Sequence, residues 1–279
     1  MTRPTVRPGW SALPQRRPPR RRPAIAALRV PISRRAGAVL AVASIAVPLV
    51  AWWIAAVAIS DPQTLPTPVA AIRAGVELAR SGALLTDTWA SVRRVLLGFG
   101  LAIALSVPLG LLMGSFRAGW SLFEPVIGLL RYLPAASFMP LLIAWLGLEE
   151  APKVMLIFLA TFFFNTLMTA DAVRGVPAAL IEVSYTLGAR TGEVVRKVII
   201  PYALPGMIDS ARVNAAAAWS FVVIAELIAP ESGLGYRITR LGRFQLIDGI
   251  FAVLVVIGLI GLTIDVGLRV LRDRVGRWV

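Results

Sequence analysis

The sequence predicts an all-α, polytopic membrane protein, a bundle of about six transmembrane helices, and three observations carry that prediction. Of 279 residues, 57% are hydrophobic and only 16% charged, against roughly 25% charged in soluble domains. The apolar residues fall in long runs of the size that crosses ~30 Å of hydrocarbon. The positive charge, 29 Lys and Arg against 15 Asp and Glu, gathers in the first 36 residues and at the ends of those runs. That placement follows membrane topology rather than the basic face of a nucleic-acid binder, so no nucleic-acid partner is expected.

Residues 1–36 interleave ten arginines with seven prolines, which predicts a disordered cytoplasmic tail able to meet an anionic leaflet, with RNA as the alternative ligand. Arg34-Arg35 before an apolar run could open a cleaved signal. Residues 37–59, however, carry no charge over 23 positions, longer than the ~7–15 of a signal core, so they form the first span of a membrane domain covering 37–279. Leu65-Pro66-Thr67-Pro68 then precedes Val69, Ile72, Val76 and Ala79 at helical spacing, giving either an interfacial helix or a solvated helix packed on the membrane domain. Further spans are expected at 95–114, 133–148, 154–170, 213–229 and 250–268. The third contains Pro134 and Pro140, and a helix broken inside a membrane has to face protein or water. With the tail inside, the inner segments hold nineteen Lys and Arg against eight outside, which places both termini in the cytoplasm. In the second span Gly110 and Gly114 form a small-x3-small helix-packing face, and Asp265 and Arg269 stand at i, i+4 near the inner end of the last.

The chain has neither cysteine nor histidine. Disulfides, thiolate and imidazole catalysis and most transition-metal sites are thereby excluded, and neither metal nor cofactor is expected. No Gly-x4-Gly-Lys-Ser/Thr loop is present, so the chain is not expected to hydrolyse ATP and has no catalytic residues of its own. A membrane hydrolase would need a Ser-Lys dyad or paired acids, yet the only lysines, Lys153 and Lys197, flank the spans. A stand-alone carrier would need coupling-ion carboxylates at mid-membrane, and the spans offer few.

The loop from about 171 to 212 is long for a helical bundle. Pro177 can open a helix through Ile181, Glu182 and Tyr185 toward Gly188. After Thr191, Val194, Val195, Val198 and Ile199 share one face opposite Arg196 and Lys197, and Pro201 is expected to stop the run. Two short helices hinged at a glycine make a protrusion for a soluble partner; the alternative is an amphipathic re-entrant segment.

Glu182-Val183-Ser184, three residues, Gly188, nine residues, Val198-Ile199-Ile200-Pro201 resembles the EAA loop of binding-protein-dependent ABC importer permeases. Glu182, Gly188 and Pro201 match literally, whereas Val183 and Ser184 replace alanines, and Val198 and Ile200 replace Ile and Leu. Leu65 to Pro68, Ser91 to Phe99, Pro140 to Gly147 and Ser232 to Tyr236 extend the resemblance, most closely to the nitrate/sulfonate/taurine subfamily. Phe164 stands where many such permeases have proline. The resemblance implies a type I importer permease of the bacterial inner membrane, working as a homodimer with two copies of a separate ABC ATPase and a soluble or lipid-anchored substrate-binding protein. It implies passage of a small anionic or zwitterionic solute, sulfonate-, nitrate- or taurine-like. It makes Glu182, Ser184, Gly188, Ala189 and Pro201 the ATPase-coupling residues.

Each assignment has a plainer counterpart. Gly188 either permits close approach of the ATPase or ends a helix as a C-cap, and Glu182 either pairs with a partner's cation or caps backbone donors. Arg131, Pro134, Asn165 and Glu226 are pathway candidates; Arg131 favours an anion or snorkels to the interface, and Glu226 touches substrate or pairs with an arginine on another span. Ser232, Gly233, Gly235 and Tyr236 meet the binding protein or form a structural turn.

Overall fold

The structure is a computed structural model that describes residues 33–276. Residues 1–32 of the expected tail lie outside it. The first helix, α1 (Arg34–Ile59), takes in Arg34 and Arg35 as its opening turn, so helix begins three residues earlier than the apolar run. The chain divides at Ala51. In the first unit the start of α1 is apolar and exposed all round, with Val42 and Ile45 each 67% exposed, the character of a helix whose solvent is lipid.

The second unit begins at Trp52. Trp52 Nε1 donates to Pro66 O at 3.0 Å and its ring stacks 5.4 Å from Phe251, which ties the end of α1 to the following turn. Thr67 then caps α2 (Pro68–Arg80), accepting from the Ala70 N–H, with Pro68 in the first turn where its missing N–H costs nothing. The packed reading of this helix holds on one side, where Gly75 lies against Ala252, while Ile72 stays exposed.

Three long helices form the centre: α3 (Ala83–Ser115), α6 (Glu150–Arg174) and α9 (Ile200–Ile228). Glycine sets the spacing of the first two, which run parallel. A Cβ on Gly98 would stand 2.6 Å from Val154 O, one on Gly110 2.6 Å from Thr166 O, and one on Gly114 2.5 Å from Val173 Cβ. The small-x3-small face therefore packs backbone against backbone on α6. Helix α9 runs antiparallel to both, and α11 (Ile247–Val275) lies along α9, joined to it by Arg212–Asp265 and Arg272–Asp209 ion pairs. The expected Asp265–Arg269 pair closes at 2.7 Å.

Beyond α3, whose helix begins at Ala83 rather than at Val95, two boundaries differ from expectation. The third span is not 133–148 but a bent pair, α4 (Arg117–Leu130) followed by a 3₁₀ turn (Ala135–Phe138) and α5 (Met139–Leu146), with an 80° bend between the limbs. Arg117, Gly119, Glu124, Pro125 and Gly128 dilute the apolar signal of α4, while Pro134, extended at φ −63 and ψ 110, takes the chain out of helix. The second difference is Pro201, which does not stop the helix. From α8 (Thr191–Val194) the chain continues through a π turn (Val195–Ile199) into α9. The Ile200 N–H reaches back to Val195 O, and this wider turn admits the proline ring that a tight α turn would oppose at the fourth carbonyl before it. The loop expected at 171–212 thus shrinks to the segment between α6 and α8. That segment holds α7 (Ala178–Thr186), and α10 (Leu234–Arg243) occupies the opposite end. Phe164 sits within a continuous α6.

Candidate functional site

At the α10 end, three side chains on one face of α3 point into the bundle: Asp87, Ser91 and Arg94, spaced i, i+4, i+7. Arg94 is fully buried. Its Nε and Nη2 donate to both oxygens of Glu150 at 2.8 and 2.6 Å. Nη1 donates to Glu226 Oε1 at 2.6 Å and Ser232 O at 2.7 Å, and Nη2 also reaches Ser232 Oγ at 2.7 Å. All five guanidinium N–H groups are thereby used.

Glu226 is equally buried. Besides Arg94 it accepts from Ser91 Oγ at 2.8 Å and from the Gly235 N–H at 2.8 Å. Asp87 accepts from the Gly233 N–H at 3.1 Å and from Arg237 Nε at 2.6 Å, and Lys153 donates to Glu231 at 2.6 Å. Desolvating so many charges is tolerable only because each is paired and hydrogen-bonded. The cluster joins α3, α6 and α9 to the 230–233 turn and α10. Of the sequence candidates here, Gly233 and Gly235 are buried against Glu226, while Ser232 and Tyr236 are half-buried. Asp87, Ser91 and Arg94 on α3 and Glu150 on α6 were not among the sequence candidates, and Lys153 entered only as a lysine flanking a span; for the three on α3, the i, i+4, i+7 spacing was the available signal.

Midway along the bundle, Asn165 donates to Ser106 Oγ at 2.6 Å, and Asn214 donates to Asn165 Oδ1 at 3.4 Å and to Ser210 O at 2.9 Å. These residues are buried, so Asn165 bridges α3, α6 and α9 in the interior.

Arg131 and Pro134 stand at the bend between α4 and α5, on the wall of a cavity of about 220 Å³ shared with Phe138, Phe163, Phe164 and Phe221. Phe163 lies about 20 Å from the Glu150 end of α6 and about 17 Å from the Arg174 end. Arg131 thus lies level with the middle of α6.

At the other end, α7 closes with a Schellman turn: the Gly188 N–H bonds to Tyr185 O at 2.9 Å and the Ala189 N–H to Ser184 O at 3.0 Å. Gly188 has φ +84 and open space around the position of a Cβ. Leu180, Val183, Tyr185 and Leu187 are exposed, Leu187 by 82%. Glu182 is exposed as well, and Ser184 Oγ turns back to Leu180 O at 2.7 Å. Beyond the glycine, the Arg190 N–H donates to Glu193, which also pairs with Lys197 at 3.2 Å. Pro201 follows inside the π-turn junction.

A polytopic helical bundle with a broken span lining a cavity, and a capped, exposed helix at one end, fits a transport permease. Residues 106–278 match the binding-protein-dependent transport system inner membrane component, and the chain belongs to that family. It is 38% identical to a Methanocaldococcus jannaschii protein named as an ABC transporter permease, over 86% of this chain and 92% of that one. It is 32% identical to the taurine transport system permease protein of Escherichia coli, over 90% and 92%. The fold resembles a chain of the MetNI methionine ABC transporter in its inward-facing conformation, with TM-score 0.63 at 20% identity over 71% of this chain and 98% of that one. The chain is therefore a multi-pass inner-membrane subunit of an ABC importer. ATP hydrolysis resides in a separate ATPase subunit, and a substrate-binding protein is its second partner.

Proposed function

We propose that the chain works as a homodimer with two ATPase copies, which grip it at the α7–Gly188 turn, and that it carries a small anionic or zwitterionic solute past the α4–α5 bend. Glu182, Ser184, Gly188, Ala189 and Pro201 transmit ATPase closure through α7 and the π turn into α9. The observation that carries this reading is the exposed edge formed by Leu180, Val183 and Leu187, at i, i+3 and i+7, with the most exposed, Leu187, at the tip of a capped turn. An uncovered apolar helix edge next to a close-approach glycine fits a helix-in-groove contact.

The same arrangement supports the pathway. Non-helical backbone at mid-depth is tolerated only where it faces protein or water, and a mid-depth arginine obeys the same rule. The relative named for taurine supports an anionic or zwitterionic cargo. Both termini lie in the cytoplasm, in keeping with the arginine distribution. The binding protein meets the α10 end, where Ser232 and Tyr236 are the accessible members of their turn.

The test is purification of the full chain from its native membrane. An ABC ATPase should accompany the native chain and be lost from Leu187→Asp, with insertion and thermal unfolding unchanged. Equal recovery with both chains would overturn the docking role of α7.

A further inference from the structure

We infer that the cavity at the α4–α5 bend is a binding station for an organic anion with an apolar, ring-sized body, and that it discriminates against bare inorganic oxyanions. The inference rests on the proposed pathway and adds the chemistry of its occupant.

Arg131 supplies the anion contact. Its guanidinium lies 4.9 Å from the centre of the Tyr132 ring, and Nη2 donates to Tyr132 Oη at 3.1 Å. Nε is buried and, among the described residues, has no hydrogen-bond partner. A buried N–H left unpaired costs about 1–3 kcal/mol, more when the group is charged. Nη1 makes no hydrogen bond among the described residues and is not enclosed as Nε is, so an oxyanion in the adjoining space would take it with a charge-assisted bond. The stacking on Tyr132 holds the guanidinium plane in place without neutralising its charge.

The rest of the lining is apolar. Phe138, Phe163, Phe164 and Phe221 face the cavity with Leu159 and Ala160, and Pro134 closes the bend. Tyr132, Leu133 and Phe164, exposed by 74%, 44% and 47%, rim the mouth. A nitrate-sized ion seated on Arg131 would leave most of this aromatic wall without contacts, and its remaining oxygens would lose water with nothing in return. A sulfonate or carboxylate on a ring or short alkyl body uses both parts, its head on Arg131 and its body among the phenylalanines. The volume, about 220 Å³, lies below the range of drug-sized pockets, which limits the body to about one ring.

The chain contains no cysteine, so a single Leu133→Cys substitution in the full chain, held in lipid nanodiscs, provides a clean reporter at the mouth. The first arm labels it with a membrane-impermeant thiol reagent. The second adds benzenesulfonate, sodium nitrate or neutral benzenesulfonamide, following protection from labelling and, on the chain without the cysteine, ligand-observed NMR. Benzenesulfonate is expected to protect and to bind saturably, with nitrate and the sulfonamide at least about tenfold weaker. Arg131→Gln should weaken benzenesulfonate by about tenfold or more, the loss of one charge-assisted bond. Arg131→Lys should recover part of that loss, and Phe163→Ala should weaken benzenesulfonate while leaving nitrate unchanged. A thermal unfolding transition of Arg131→Gln in nanodiscs matching that of the native chain shows that the variant keeps the fold. If Leu133→Cys does not label, the bend is not water-lined and the pathway reading fails. If it labels but nitrate binds as well as benzenesulfonate, or if Arg131→Gln binds benzenesulfonate unchanged, the pathway stands and the ligand inference is overturned.

Discussion

Arg94 and Glu226 meet at 2.6 Å with neither side chain exposed to solvent, joining two central helices at the end of the bundle where α10 folds back. The pair is not isolated: Arg94 holds Glu150 as well, and Glu226 also accepts from Ser91 and the Gly235 N–H. Removing one member of the central pair leaves the other charged and buried, which makes the unequal cost of the two single substitutions a direct test of the network.

Arg94→Met should be the worse. It strands the buried Glu226 and leaves Glu150, 39% exposed, with Arg93 alone, and breaking a buried pair in this way costs about 3–5 kcal/mol. Glu226→Gln leaves Arg94 paired with Glu150 and should cost less. The double variant Arg94→Met/Glu226→Met should be more stable than the sum of the single effects predicts, since no charge from the central pair is then left unpartnered. Thermal unfolding of the three chains in nanodiscs measures this. Additive losses would show that the two residues act independently.

Gly233 has φ +111, and a Cβ there would collide with the Glu226 carboxylate, whereas Gly82 has φ +74 with open space around it. Gly82→Ala should therefore cost about 1 kcal/mol of backbone strain. Gly233→Ala should cost more and expose the turn before α10 to protease. Equal protease sensitivity in the two variants would argue against coupling between the turn and the buried cluster.

Gly110 faces Thr166 and Thr169 on α6, while Gly100 on the same helix has nothing within 4 Å. Gly110→Val is expected to lose at least about 1–3 kcal/mol through overpacking, and Gly100→Ala to be neutral or slightly stabilising. Yields of folded, inserted chain and unfolding temperatures distinguish them. A stable Gly110→Val chain would mean that α3 and α6 are not held in close contact.

Gly188→Ala meets no neighbouring atom within this chain, yet its φ of +84 penalises any side chain. The expected result is a local cost of about 1 kcal/mol in the turn with global unfolding unchanged. ATPase co-purification should fall further for Gly188→Arg than for Gly188→Ala, because only the larger side chain also blocks a groove. Identical ATPase recovery from both would assign Gly188 to helix capping alone.

Much of this protein could be read along the chain. The spans at 37–59, 154–170 and 250–268 lie inside observed helices, because a lipid-facing helix needs a run of apolar residues and any such run stands out. Helix α2 was legible from Thr67-Pro68, and the Gly188 turn from its position between two helical patterns. The bend of the third span was only half legible: Pro134 and Pro140 marked it, but polar and small residues in α4 hid its first limb. Pro201 was misread as a terminator because a linear pattern carries no sign that the preceding turn widens to π geometry.

What the sequence determined by itself was local: which segments are helical and apolar, where charge sits along the chain, and which glycines interrupt helices. Only the tertiary structure decided what those residues meet. Arg94 read as one more flanking arginine until Glu150 and Glu226, 56 and 132 positions away, closed around it. Arg131 read as the edge of a span until the bend set it beside the middle of α6. The reason is that hydrophobic periodicity records the solvent each face requires, whereas the pairing of buried charges depends on helix spacing, and here that spacing is set by glycine contacts between α3 and α6 that no local pattern describes.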